Sequence, residues 1–525
     1  MRYQMKLFAT FNLQQTRFVL SMPTPSSTLS NRLHVSLVIV TGLVYAGLLT
    51  APLSAEQESR VADAAQQNDP AKIELLLAQN CDVNAAQVDG MTALHWTVHY
   101  DDLESTHRLI AAGADTNATN RYGVMPLALA CANGNAKLVE LLLQSNADPN
   151  AKLRGGQTML MTAARTGKPR PVEMLLDAGV DVDAQESRKQ TAMMWAAAEG
   201  HNEVVKLLIA ANADFETALK TGFTPFFFGI REGRIAVTKT FLAQGIDVNE
   251  PMKVKSGNGR NPTPGMAPLS LAIENGHFEL AVFLLESGAD PNDQRTGLAP
   301  LHRMIWVRKP DRGDNLDGTP PPIGSGSIDS LTMVRELVGH GADVNLRLDR
   351  SPKRFGKLNK RGATPFLMAC KSADIPLLNL LLDLGADPTI TNVDHSTPLM
   401  VAAGIATNAA GEEAGSETEA IEAIRILLDL GADIDAVDKK GETAMHGAAY
   451  KNFPDVARFL HARGAKIEVW NRANSRGWTP LAIASGYRPG NFKPSAATIK
   501  AIREIMLENG VDPPDDPRPK RRPKK

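Results

Sequence analysis

The sequence predicts an all-α repeat fold, a solenoid of helix-turn-helix units joined by hairpin fingers. Three observations carry this. One phrase recurs in a single frame: Gly90-Met-Thr-Ala-Leu-His, Gly222-Phe-Thr-Pro-Phe-Phe, Gly362-Ala-Thr-Pro-Phe-Leu, Gly441-Glu-Thr-Ala-Met-His and Gly477-Trp-Thr-Pro-Leu-Ala. About twenty residues later comes a second phrase, as in Leu109-Ile-Ala-Ala-Gly-Ala-Asp, Leu284-Leu-Glu-Ser-Gly-Ala-Asp-Pro-Asn and Leu427-Leu-Asp-Leu-Gly-Ala-Asp-Ile-Asp. Between the two, Leu and Val recur at helical spacing, as in Val204-Val-Lys-Leu-Leu-Ile. Self-similarity at such a period marks units that bury their apolar faces only by stacking.

Each element follows from its chemistry. The Thr-Pro pair opens a first helix: Thr caps the orphan N–H groups, and Pro in the first turn loses no hydrogen bond. A second helix carries the Leu-rich run, and the Gly of Gly-Ala-Asp supplies the left-handed residue that ends it. Where Gly is absent, Asn80, Asn146 and Asn212 stand instead, the next residue type to tolerate that conformation. Units begin at 90, 123, 156, 189, 222, 265, 297, 362, 395, 441 and 477, after a partial one from Ser59 to Asp89, about twelve in all. Four Gly-, Pro- and Ser-containing interruptions are expected to be loops. Those near 250–264 and 346–361 lengthen fingers, and those near 307–327 and 407–416 separate the two helices of one unit. A shorter one, Arg488–Pro494, lies in the final unit.

This period and these phrases resemble the ankyrin repeat family, across essentially all of 59–515. The resemblance implies a protein that binds another protein through its concave face and fingers, with no chemistry of its own. Binding positions then fall on finger tips and the exposed ends of first helices. The helix ends are His99 and Tyr100, Arg165, Glu199, Arg231 and Glu232, Glu274, Trp306, Lys371, Tyr450 and Lys451, and Tyr487. The finger positions include Tyr122, Arg188, Phe223 and Trp478. Tyr, Trp and Arg are the usual interface anchors, which singles out Tyr100, Tyr122, Trp306, Tyr450 and Trp478. Trp96 and Trp195 stand at the core Leu position and are expected to pack. A chaperone-like or regulatory accessory to a periplasmic enzyme is the alternative. The 346–361 finger carries Arg347, Arg350, Lys353, Arg354, Lys357, Lys360 and Arg361 against Asp349 alone, either a solvated loop or a hook for an anion. Nucleic acid is the weaker partner for it, because Phe355 is its one aromatic residue.

Length and charge sharpen the picture. The 525 residues are 43% apolar, 22% charged and 5% aromatic, which suits a folded protein rather than a disordered or collagen-like chain. The formal charge of −1 hides a gradient. Residues 1–55 hold four basic residues and no acid, then an uncharged apolar run from Leu33 to Ala55 that ends in Pro52-Leu53-Ser54-Ala55. That order is expected of a signal peptide, with Met22 a possible start, or of an uncleaved anchor. Either places the body outside the cytoplasm, periplasmic or secreted, with a bacterial source inferred. Without the leader the net charge is −5, and six of the last eight residues are basic, so 516–525 reads as a basic, solvated tail on an acidic solenoid.

Catalytic signals are poor. No His-Glu-x-x-His, Cys-x-x-Cys or Gly-x-x-x-x-Gly-Lys occurs, and no cofactor, metal or small-molecule substrate is expected. His95, His302 and His446 stand at the Thr-Pro-Leu-His position, where imidazole braces adjacent loops, and His201 and His277 follow Gly between helices. Asp311–Gly318 resembles a calcium loop only faintly, because its closing Glu is missing. Cys81, Cys131 and Cys370 lie two or more repeats apart, too far to pair.

Overall fold

A computed structural model describes residues 59–254, 263–311, 320–350, 358–407, 409–488 and 494–518. The leader 1–55 and residues 519–525 of the tail lie outside them. The described residues form helices and turns, with no strand beyond an isolated bridge between Lys152 and Thr158. The helices come in pairs, from Arg60–Gln66 with Pro70–Ala78 to Pro480–Ala484 with Ala496–Glu508. A four-residue helix, Ile467–Trp470, stands outside this alternation.

The local chemistry works as the phrases imply. Thr224, Thr364, Thr397 and Thr479 each accept a hydrogen bond from the N–H three residues on, at 3.2–3.4 Å, with Pro at the first helical position. Several second helices begin instead on Asp or Asn: Asp102 caps Ser105, Asn135 caps Leu138 and Asp374 caps Leu377. The second helices end in the left-handed region, at Gly113 (φ 88°) or at Asn80, Asn146 and Asn212 (φ 54°, 66° and 61°).

Stacking buries what these short helices cannot bury alone. First helices pack on one another without a break from Arg60–Gln66 to Pro480–Ala484, and each second helix packs on its own first helix. One apolar core runs the length of the stack, through Leu94, Leu127, Leu160, Met193, Phe226, Leu269, Leu301, Phe366, Leu399, Met445 and Leu481. These occupy the same place in successive first helices.

Three polar ladders run alongside that core. Asn84, Asn117, Asn249, Asn292 and Asn345 each donate Nδ2 to a carbonyl of the next repeat and accept its Asp N–H, at 2.7–3.1 Å. Successive fingers share backbone bonds, such as Arg121 N–H to the Asp89 carbonyl at 2.9 Å and Ser475 N–H to Lys440 at 2.7 Å. Histidines form the third ladder, as the sequence implies. His95 Nε2 meets the Val124 carbonyl at 3.1 Å, and His302 meets that of Ala363 at 3.2 Å. His201 and His277 reach back to the Arg165 and Arg231 carbonyls at 2.9 and 2.8 Å.

The fingers are tight turns. Gly90 N–H donates to the Gln87 carbonyl, and Gln87 N–H donates to the Met91 carbonyl. Both finger insertions keep that closing pair and lengthen what lies between. Met252 N–H donates to Met266 at 2.8 Å, and Leu348 N–H donates to Ala363 at 3.0 Å. Their tips, 255–262 and 351–357, lie outside the described residues.

The cysteines are all free, with Cys131 and Cys370 buried, and burial pushes the Cys131 thiol up to about 12. Burial lowers both the His302 and the His446 imidazoles to about 4. The unfolded chain titrates them near 6.5, so it binds more protons than the folded chain between those values. Their contribution to stability is therefore complete above about pH 6.5 and declines as pH falls toward 4. Urea midpoints measured from pH 7.5 to 5.0 are expected to show this decline. His302→Gln/His446→Gln is expected to flatten it; an unchanged slope in the double variant contradicts the assignment.

Candidate functional site

First-helix ends and finger bases face one another and line a groove at two places in the stack. At Pro300–Arg308 and Pro365–Ser372, the helix ends bring Ile305, Trp306, Met368 and Lys371 opposite Leu298 and Lys360 of the finger side. Further along, Lys440, Glu442, Arg476 and Trp478 from two fingers face Thr407, Tyr450 and Arg488 from helix ends.

The two inter-helix insertions are built into this architecture rather than hanging off it. Residues 320–327 fold back onto the preceding repeat: Ser325 N–H donates to His277 Nδ1 at 3.0 Å, and Ile328 and Ser327 N–H groups donate to Glu279. The turn at 409–416 feeds Glu413 into the groove, where it pairs with Lys371 at 3.0 Å, both largely buried. Ala414 ties it further, its N–H to Asp311 at 3.2 Å and its carbonyl to buried Lys451 at 2.9 Å. Lys309 bridges to Glu419 at 2.7 Å and to the Ala373 carbonyl at 3.1 Å. Arg308 grips Asp374, the cap of the next second helix, through Nε and Nη2 at 2.8 and 3.0 Å.

Burial and like charges act on the lysines here. Burial, then Lys371, pulls Lys360 down to about 7, and burial pulls Lys451 down to about 8 against the opposing effect of Glu413. A buried Lys in such a network is held by carboxylates whose removal strands its charge.

The anticipated binding residues divide in two. Tyr100, Tyr122, Trp306 and Tyr487 are exposed, at 42%, 55%, 42% and 36%. Tyr100 stacks on Trp96 with ring centroids 6.0 Å apart, and exposed His99 lies 5.1 Å from it. Trp96 itself is half-buried and donates Nε1 to Gln87 at 2.8 Å. Arg165 is exposed over the Trp195 ring at 5.2 Å.

The others are drawn inward. Tyr450 is a correction: it is 8% exposed, with its hydroxyl donating to buried Glu442 at 2.7 Å, so it braces the groove wall. Phe223, expected at a finger surface, is buried against Phe228. Arg231 is half-buried over Phe223 and Phe228 and pairs with Glu232 at 2.8 Å. Trp478 is half-buried beneath Arg476.

The basic finger is corrected in the same way at Lys360, which is 3% exposed and lines the groove instead of the solvent. Arg347 donates to the Thr391 carbonyl at 3.0 Å, and Arg350 to the Arg295 carbonyl, so both tie neighbouring fingers together. Arg361 is exposed. Lys353, Arg354 and Lys357 lie outside the described residues. Sequence reasoning missed Arg488, Lys440, Arg476, Lys309 and Glu413 as groove residues. Arg488, Lys309 and Glu413 lie in interruptions that read as loop, and Lys440 and Arg476 are finger residues that nothing in the sequence sets apart. Among the described residues no group of three metal-binding side chains converges, and no helix is long and apolar enough to cross a membrane.

Breaking the Lys371–Glu413 pair tests how far the insertion supports the groove. Glu413→Gln is expected to cost about 3 kcal/mol, because it strands buried ammonium groups. Lys371→Met/Glu413→Gln is expected to lose less than that single change. Urea denaturation of the full chain reads both. A single variant as stable as wild type contradicts the network.

Comparisons with known proteins agree with this architecture. The family described as "Ankyrin repeats" matches residues 61–153, 156–252 and 413–513, and its single-repeat counterpart, "Ankyrin repeat", matches 265–296. The chain is similar to human ankyrin repeat and SOCS box protein 16, 27% identical over 48% of this chain and 53% of the relative. It is also similar to human ankyrin repeat and SOCS box protein 6, 36% identical over 32% of each chain. A third relative, palmitoyltransferase AKR1 of Lachancea kluyveri, is 26% identical over 50% of this chain and 29% of its own length. The chain spans about half or less of the curated relatives it matches. The matched repeats, the paired helices and the ladders between them lead to one assignment: the chain belongs to the ankyrin repeat family.

Proposed function

We propose that this protein is a non-catalytic scaffold, an exported stack of about twelve repeats that binds a partner protein through the groove between its fingers and first-helix ends. One observation carries the choice of surface. Among the described residues, the large apolar side chains that stand exposed include four aromatic ones, Tyr100, Tyr122, Trp306 and Tyr487, and all four belong to fingers or first-helix ends. The exposed large side chains on or just after second helices are aliphatic: Leu75, Leu103, Leu430 and Leu507. Aromatic residues anchor interfaces because they bury much area at little entropic cost, whereas scattered surface leucines are ordinary. The groove also has rigid walls, so little ordering cost is left to be met on binding.

Tyr100→Ala/Trp306→Ala is expected to weaken partner capture about thirtyfold or more, at two anchors of roughly 1–2 kcal/mol each. Leu75→Ala/Leu430→Ala is expected to leave it unchanged. Capture that survives the aromatic pair and falls with the leucine pair defeats this choice of surface. Export is tested apart from binding: N-terminal sequencing of the mature protein is expected to begin at Glu56. Mature chains that begin well upstream contradict cleavage there.

A further inference from the structure

The groove's C-terminal end holds an open pocket of distinct chemistry. Three cationic side chains line it: Lys440 and Arg476 from fingers and Arg488 from the last first-helix end. Each guanidinium lies over an aromatic ring, Arg476 over Trp478 at 5.3 Å and Arg488 over Tyr450 at 5.1 Å. Contact with a ring partly desolvates a guanidinium and limits its rotation. The planar fork of its N–H groups suits a carboxylate bidentately.

The carboxylates nearby are already engaged by the protein. Glu442, the one acid in the lining, accepts from the Tyr450 hydroxyl at 2.7 Å and from Asn474 Nδ2 at 2.8 Å. Asp394 accepts from Lys440 at 2.7 Å. The helix-end positions after 297 are cationic, Lys309, Lys371, Lys451 and Arg488, whereas those before it carry both signs, Arg165 and Arg231 beside Glu199, Glu232 and Glu274.

We propose that this pocket is an acidic-peptide site, in which Arg476 and Arg488 receive an aspartate or glutamate carboxylate of the partner protein. It rests on the groove being the binding surface and names the chemistry of the partner there. Lys440, paired with Asp394, closes the rim, and the Trp478 ring adds apolar surface beside Arg476. Burial lowers Arg488 to about 10, which leaves it charged throughout the physiological range. Binding at such a site weakens with salt, because the rim charges are exposed.

The test uses the full chain and a defined probe, an eight-residue alternating glutamate-glycine peptide with a neutral fluorescent label. Wild type is expected to bind it, and Arg476→Glu to weaken binding about tenfold. Arg476 is exposed, so this variant keeps the fold. Arg488→Lys keeps the charge, loses the planar fork, and is expected to weaken binding several-fold. Equal binding of the glutamine-glycine peptide, or an Arg476→Glu variant that binds as wild type does, overturns the proposal. Tighter binding of the phosphoserine-glycine peptide or of oligouridylate overturns it in favour of a phosphate ligand. Partner capture lost in Tyr100→Ala/Trp306→Ala but unchanged in Arg476→Glu removes this site and leaves the groove reading standing. Glutamate-peptide binding with partner capture indifferent to both aromatic changes removes the groove reading and leaves this site.

Discussion

A helix of seven to nine residues cannot stand alone in water, and a pair of them cannot hide its own apolar face. Contact between neighbouring repeats is therefore the constraint on which everything else in this chain depends. It explains why buried alanines such as Ala130, Ala163, Ala197, Ala272, Ala369 and Ala448 recur in the first helices, where they meet partners on both sides. It also explains why the polar ladders run between repeats and not within them. The Asn and His residues satisfy carbonyls and N–H groups that a loop would otherwise leave to solvent, and in doing so they fix the spacing of the stack. A groove of defined width follows from that spacing.

The backbone signals were legible because each rests on a local necessity. Thr before Pro caps a helix, and Gly or Asn ends one, whatever surrounds it. The imidazole braces were legible from the resemblance instead, because the carbonyls they meet belong to neighbouring repeats. Burial of the binding residues was harder to read, because it depends on what a neighbouring repeat presents. Tyr450 stands where a surface anchor would, yet Glu442 and Asn474 supply partners that draw its hydroxyl inward. Lys360 stands in a run of basic residues that reads as solvated, yet the closing pair at Leu348 and Ala363 turns it beneath the finger. The role of Glu413 was hidden entirely. An insertion of Gly, Glu and Ala reads as loop, and only the fold shows that the same residues brace Lys371 and Lys451.

Those insertions change how the surface is understood. Regular repeats alone would give a uniform groove. Here 320–327 and 409–416 fold back on preceding repeats, and they do so around charged side chains that few other contacts would hold. The result is a surface with exposed aromatic residues from Tyr100 to Tyr487 and, at its C-terminal end, Arg476 and Arg488 set against rings. A partner that uses both would meet apolar anchors along the stack and added charge at its C-terminal end.

The most direct test of the account is site-specific photocrosslinking in the protein's native setting. A photoreactive phenylalanine at Tyr100 or Trp306 samples the groove, and one at Leu75 or Leu430 samples the outer row of second helices. The account predicts one discrete crosslinked partner from the groove positions and none from the outer ones. The same partner captured from Leu75 or Leu430, with silence at Tyr100 and Trp306, would contradict it.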